Sequence, residues 1–186
     1  MEYICHSGGA PGSDMFWENE GIKYGVKTIA YSFYRHVQSS KNQKILTAEE
    51  LNEGFEVVKI ANKTLKRSPE RQYQYIQNLL SRNWFQVKNS DAIFAISRKF
   101  VIDRKIVDGG TGWAVQMAVD NKKPVFVFDQ NTKSWYTFNY TTNEFDMIDY
   151  IPKLTENFAG IGTREINEDG INAIKEVYEK NFGNVS

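Results

Sequence analysis

Short apolar runs that stop at clusters of glycine alternate along this chain with longer stretches whose apolar residues recur at helical spacing. Tyr3-Ile4-Cys5-His6 is the first such run, and it ends at Ser7-Gly8-Gly9-Ala10-Pro11-Gly12-Ser13-Asp14. A helical pattern follows from about Met15 to Tyr24, and Val26 to Phe33 reads as a second strand rich in β-formers. A strand, a glycine turn, a helix and a strand in this order form the βαβ rhythm of a parallel sheet.

Tyr34 to Lys44 is polar and long for a connection. Thr47-x-x-Glu50 is a capping-box signature for a helix reaching about Leu65. Ser68-Pro69 predicts another, running to about Val87, because proline suits the first helical turn. Asp91 to Ile96 is almost continuously apolar, as a strand buried on both faces should be. A charged insertion, Arg98 to Val107, leads to Asp108-Gly109-Gly110-Thr111-Gly112, then to a helix from about Trp113 to Asp120 and a strand from Pro124 to Phe128. Ser134 to Asn139 and Glu144 to Ile148 read as a β-hairpin around Thr141-Thr142-Asn143. Asn157 to Arg164 is a strand entering a third glycine turn, and Glu168 to Lys180 a closing helix. The pattern predicts one α/β domain over residues 1–186: a Rossmann-like three-layer sandwich with a mainly parallel sheet and a small hairpin near 134–148.

Composition narrows the function classes. Hydrophobic residues at 41% and charged residues at 25% are ordinary for a folded domain. The 23 basic and 23 acidic residues cancel, which argues against a nucleic-acid duplex as partner. One cysteine, Cys5, excludes an internal disulfide, and with two histidines it argues against a zinc site; neither a metal nor a cofactor is expected. No apolar run approaches membrane-spanning length and no signal-peptide pattern opens the chain, so the expectation is a cytoplasmic protein without a membrane partner.

The candidate chemistry lies in three strand-to-helix turns: Gly8 to Asp14, Gly109 to Gly112, and Gly160 to Arg164. In open α/β sheets, ligands bind in the crevice beyond the carboxyl ends of the strands. Glycine there lets backbone approach a phosphate or sugar, and the following helix offers free N–H groups and partial positive charge. None of the turns contains the lysine of a nucleotide-triphosphatase loop or a full G-x-G-x-x-G. These turns predict a nucleotide-type small molecule as ligand.

At these residues the chain resembles the SLOG superfamily, which includes LOG (lysine-decarboxylase-like) proteins, the DNA-processing protein A fold and molybdenum-cofactor carriers. SGGAPGSD resembles the family turn S-G-G-A-x-G-x-D. Arg82-Asn83, the strand DAIFAI and then GGTG resemble the LOG order of arginine, apolar strand and P-G-G-x-G-T-x-x-E. The likeness spans most of residues 1–128 and returns at 157–180, and its nearer relatives look like tailed-phage proteins, which would put this one in a host cytoplasm. AGIGTRE resembles the strand-turn that normally opens the superfamily, so the resemblance implies a circular permutation, with the 157–183 strand and helix completing the sheet beside the N-terminal strand. It also implies a homo-oligomer, a dimer or larger.

The resemblance implies ligand contacts at Ser7, Gly8, Gly9, Ala10, Gly12, Asp14, Arg82, Gly109, Gly110, Thr111, Gly112, Gln116, Gly162, Thr163 and Arg164. The family's catalytic glutamate falls at Gln116, which cannot supply a carboxylate, and Asp108 replaces the family proline. This tilts the expectation from hydrolase to binder, in its sharpest form a phage protein sequestering a host immune nucleotide such as an ADP-ribose derivative or a cyclic oligonucleotide. The alternative is a LOG-like phosphoribohydrolase or N-glycosidase using Asp14 or Asp108. Several residues carry two readings at this stage. Asp14 either meets a ribose hydroxyl or caps its helix, and Arg82 either meets a phosphate or makes an ion pair. Gln116 either touches ligand or is a plain helical polar residue. His6 either reaches the crevice or is structural, which its type favours; His36 is part of a solvated loop or a lid; and Trp84 and Trp113 either stack on a base or, as their helical positions favour, belong to the core or an interface.

Overall fold

The computed structural model describes residues 1–185. Its centre is an eight-stranded sheet built from β1 (Ile4–Ser7), β2 (Lys27–Ser32), β3 (Gln43–Ile45), β4 (Ala92–Ser97), β7 (Val125–Asp129), β8 (Ser134–Asn139), β9 (Glu144–Ile148) and β10 (Asn157–Gly162), in the order β3-β2-β1-β10-β4-β7-β8-β9. The six strands from β3 to β7 are parallel, and β8 and β9 continue the sheet antiparallel. β5 (Phe100–Ile102) and β6 (Ile106–Val107) form a separate two-stranded ribbon within the charged insertion. The expected α/β sandwich with a mainly parallel sheet is thus the observed one. The hairpin at 134–148 is part of the main sheet, with Trp135 paired to Phe128.

Among the described residues, five α-helices cover both faces. α1 (Ser13–Lys23) and α5 (Glu168–Phe182) lie on one side, where Trp17, Phe94, Phe158, Ile174 and Tyr178 form an aromatic-rich core. α2 (Ala48–Leu65), α3 (Gln74–Lys88) and α4 (Thr111–Asp120) lie on the other, around Val58, Val87, Ile93, Ala95, Met117 and Val127. β4 serves both cores, because alternate side chains of a strand point to opposite faces. Its apolar run follows directly from that position. Trp17 is fully buried, and its indole N–H donates to the Ile161 carbonyl at 3.1 Å, tying α1 to β10.

The capping box at α2 forms as its spacing predicts. Thr47 Oγ1 accepts from Glu50 N (3.1 Å), and Glu50 Oε1 accepts from Thr47 N (3.0 Å). Two expectations change. The helix expected from Ser68-Pro69 is interrupted: Ser68 takes φ 50°, Pro69–Arg71 is a single 3₁₀ turn, and Gln72 and Tyr73 are extended before α3 begins. Gln77 holds the break in place, its amide donating to the Gln72 carbonyl at 3.0 Å. The 34–44 connection also contains β3, an exposed edge strand pairing Gln43 with Ala30. Three exposed residues carry no alternation by which to recognise a strand.

β10 sits between β1 and β4, with β1 and β10 parallel in the register Cys5 to Phe158. From this centre the chain leaves β1 through α1 towards β2, and leaves β4 through α4 towards β7. The two connections diverge to opposite edges and opposite faces, which is the arrangement that opens a crevice at the carboxyl ends of the strands.

Candidate functional site

A cleft of about 490 Å³ lies at that divergence, within the size range of small-molecule sites. The first turn supplies Ala10 and Asp14, the second Asp108 to Thr111, and the third Gly162 to Glu165. α3 forms the remaining wall with Ile76, Leu79, Leu80, Arg82, Asn83 and Gln86. All three glycine turns, 150 or so residues apart at the extremes, therefore meet at one edge because β1, β10 and β4 are neighbours.

The first and third turns interlock backbone to backbone. Ser13 N donates to the Thr163 carbonyl at 3.1 Å, and Ser13 Oγ to the same oxygen at 2.6 Å. Gly12, at φ 93°, lies so close to Arg164 that a Cβ would stand 2.6 Å from its Cα. Asp14 does not cap its helix, whose N-cap is Gly12. Its Oδ2 instead accepts from Gly8 N (3.1 Å) and Ala10 N (3.3 Å), folding the glycine turn over the head of α1. Burial pushes the Asp14 carboxyl up, against the pull of the Arg82 charge and the backbone N–H groups.

Arg82 is the central polar group of the cleft. Its side chain reaches from α3 to the first turn, where a Cβ on Gly8 would overlap its guanidinium. The residue is only 6% exposed, and Nε has no hydrogen-bond partner among the described residues. Gln86, one helical turn on, accepts from Arg82 Nη1 (2.6 Å) and Gly8 N (2.9 Å) in the amide orientation that satisfies both. Helix spacing of four could have flagged Gln86 as Arg82's partner in the sequence.

Two of the three glycines of the second turn differ in kind. A Cβ on Gly112 would overlap the Val107 carbonyl, so this glycine lets α4 pack against β6. Gly110 has an ordinary helical backbone (φ −63°, ψ −33°), and a Cβ there would meet nothing within 4 Å. Gly110 borders the cleft. Arg67 pins the turn from outside, donating to the carbonyls of Gly109 (2.8 Å) and Val107 (3.2 Å).

The other candidates fall around this centre. Thr111 lines the cleft at the first turn of α4, whereas Gln116 does not; its amide donates to Asp120 at 2.9 Å. Ser7, Gly8 and Gly9 stand behind Ala10 and Asp14, outside the lining. The chain from Val37 to Ser40 covers the first turn: Ser39 N donates to the Gly9 carbonyl at 2.9 Å, and Ser40 Oγ to the buried Glu18 at 2.7 Å. Asp108 and Glu165 both pair with Arg98, a network absent from the sequence reading because its members lie on three separate segments.

Both histidines are structural in their contacts. His6 joins Tyr31 and Asn157 at 2.9 Å each. His36 stacks on Phe33 with ring centroids 4.6 Å apart, and its Nδ1 meets Ser32 Oγ at 2.8 Å. Burial, with Arg82 and Arg164 nearby, brings His36 down to about 4. A folded-state value below the unfolded 6.5 makes stability complete above about pH 6.5, and it falls as the pH drops towards 4. His36→Gln is expected to flatten the fall in melting temperature across that window. An anion placed between Arg82 and Arg164 should also raise the His36 titration midpoint, read by NMR of the imidazole.

Among the described residues, no group of three or more His, Cys, Asp or Glu side chains is placed to hold a metal ion. No helix there is long and apolar enough to cross a membrane. Compared with protein-family models, with curated proteins and with solved structures, the chain matches none.

Proposed function

We propose that this protein binds a nucleotide or nucleotide-derived small molecule in the cleft at the strand ends, and holds it without turnover. The observation that carries the reading is Arg82: a guanidinium buried in the cleft wall, where a carboxylate ion pair is not formed among the described residues. An anionic ligand in the cleft would meet the positive charge of Arg82 in the wall and of Arg164 in the third turn, and charge-assisted hydrogen bonds of this kind are the stronger ones. Beside it stand the Gly162-Thr163-Arg164 turn and the uncrowded Gly110 at the head of α4, where backbone N–H groups favour a phosphate.

Holding rather than hydrolysing is supported by what the carboxylates do. Asp14 is committed to the backbone of its own turn, and Asp108 to Arg98. Gln116, at the position the resemblance assigns to a catalytic glutamate, faces Asp120. Sequestration of a signalling nucleotide is the biological form this reading takes.

Mass spectrometry of small molecules released from the purified, denatured protein tests it. A stoichiometric intact nucleotide, missing from Gly110→Trp, is the expected result. Free base or ribose phosphate in its place would favour the hydrolase, and no nucleotide binding across a panel would overturn the proposal.

A further inference from the structure

Three guanidinium groups and three carboxylates line the cleft: Arg82, Arg98 and Arg164 against Asp14, Asp108 and Glu165. Their formal charges cancel, and they are unevenly placed. Arg82 is buried in the wall, its Nη1 donating to Gln86 at 2.6 Å. Arg98 is engaged twice at the ends of β4 and β10, by Asp108 through Nη2 and by Glu165 through Nη1 at 2.8 Å. Asp108 precedes α4, Glu165 follows β10 and Arg98 follows β4, so one arginine ties together three segments of the cleft rim.

We propose that the Arg98–Asp108–Glu165 network sets the charge of the ligand the cleft accepts, favouring a single phosphate over a terminal polyphosphate. This rests on the phosphate-binding reading of the same cleft. One phosphate can be matched by Arg82 and Arg164. Each further phosphate adds negative charge to a cleft that Asp108 and Glu165 also line, and like charges in one cleft repel. Arg98 can answer that charge only by giving up charge-assisted hydrogen bonds to two carboxylates. Asp108 and Glu165 therefore act as specificity-determining residues, and Arg98 as the group that moderates them.

The test uses the full chain with inorganic orthophosphate and tripolyphosphate as probes, in magnesium-free buffer, with dissociation constants from NMR titration. The native protein is expected to bind orthophosphate at least as tightly as tripolyphosphate, although the latter carries more charge. Asp108→Asn with Glu165→Gln should raise tripolyphosphate affinity by about tenfold and orthophosphate affinity by much less. Arg98→Ala should move the preference the opposite way, by exposing both carboxylates. Opposite signs from one network would not arise from loss of stability. If the double variant fails to fold, Glu165→Gln alone, at a largely exposed side chain, should give part of the same shift. An unchanged tripolyphosphate-to-orthophosphate ratio in every folded variant overturns the assignment while leaving the phosphate site standing. Failure of the native protein to bind either probe overturns the site and the assignment together.

Discussion

Gly110→Trp is expected to abolish ligand retention while changing stability by no more than about 1 kcal/mol. The backbone at Gly110 is one any residue adopts, and the space a Cβ would enter is open. Nothing in the fold itself therefore demands glycine there, and substitutions at such unpacked positions usually alter stability by about 0.5 kcal/mol or less. The indole would enter the cleft that Gly110 borders and exclude a ligand from the head of α4. Gly112, two residues on, should behave in reverse. Gly112→Ala forces a methyl group onto the Val107 carbonyl, and overpacking of this kind costs about 1–3 kcal/mol. Denaturant unfolding and ligand retention measured on both variants separate a glycine kept open for a ligand from one kept for packing. Equal loss of stability in the two would remove Gly110 from the argument.

Arg82→Met should weaken nucleotide binding by about a hundredfold or more, since truncating a buried charged partner costs about 2–5 kcal/mol. Methionine preserves much of the stem volume among the α3 side chains and removes a buried Nε that has no partner. Against that, Gln86 loses one donor and Asp14 loses a neighbouring positive charge. The net change in stability is expected to be small beside the loss of binding. Arg82→Lys should recover only part of the affinity, because an ammonium lacks the planar fork of the guanidinium. Calorimetric titration with the nucleotide identified by mass spectrometry, alongside thermal melts, checks both. A variant that melts far earlier yet binds normally would make Arg82 a structural residue.

Asp14 has a part in the fold that local sequence statistics do not describe. The sequence marks it as either a ligand group or a helix cap; Gly12 holds the cap position, and Asp14 lines the cleft while its Oδ2 folds the first glycine turn back onto α1. Helix-cap statistics describe local geometry, whereas the Gly8 and Ala10 donors reach Asp14 only because the turn curls around Gly9 at φ 65°. Gln116 illustrates the converse: an alignment position carries no information about which face of α4 meets the cleft.

The alternation of strands and helices, the doubly buried β4 and the capping box of α2 are legible in the sequence. Each depends on side-chain periodicity or on contacts within a few residues. The three glycine turns are legible too, because positive φ and close backbone approach leave a mark on composition. The place of β10 between β1 and β4, which brings those turns to one crevice, is set by long-range strand pairing. The tertiary structure also joins Arg98 to Asp108 and Glu165, and Ser40 to Glu18. These contacts join residues distant in the chain, and local periodicity does not encode them. They arise when the sheet orders its strands to bury both faces, and the polar partners follow from where the loops then fall.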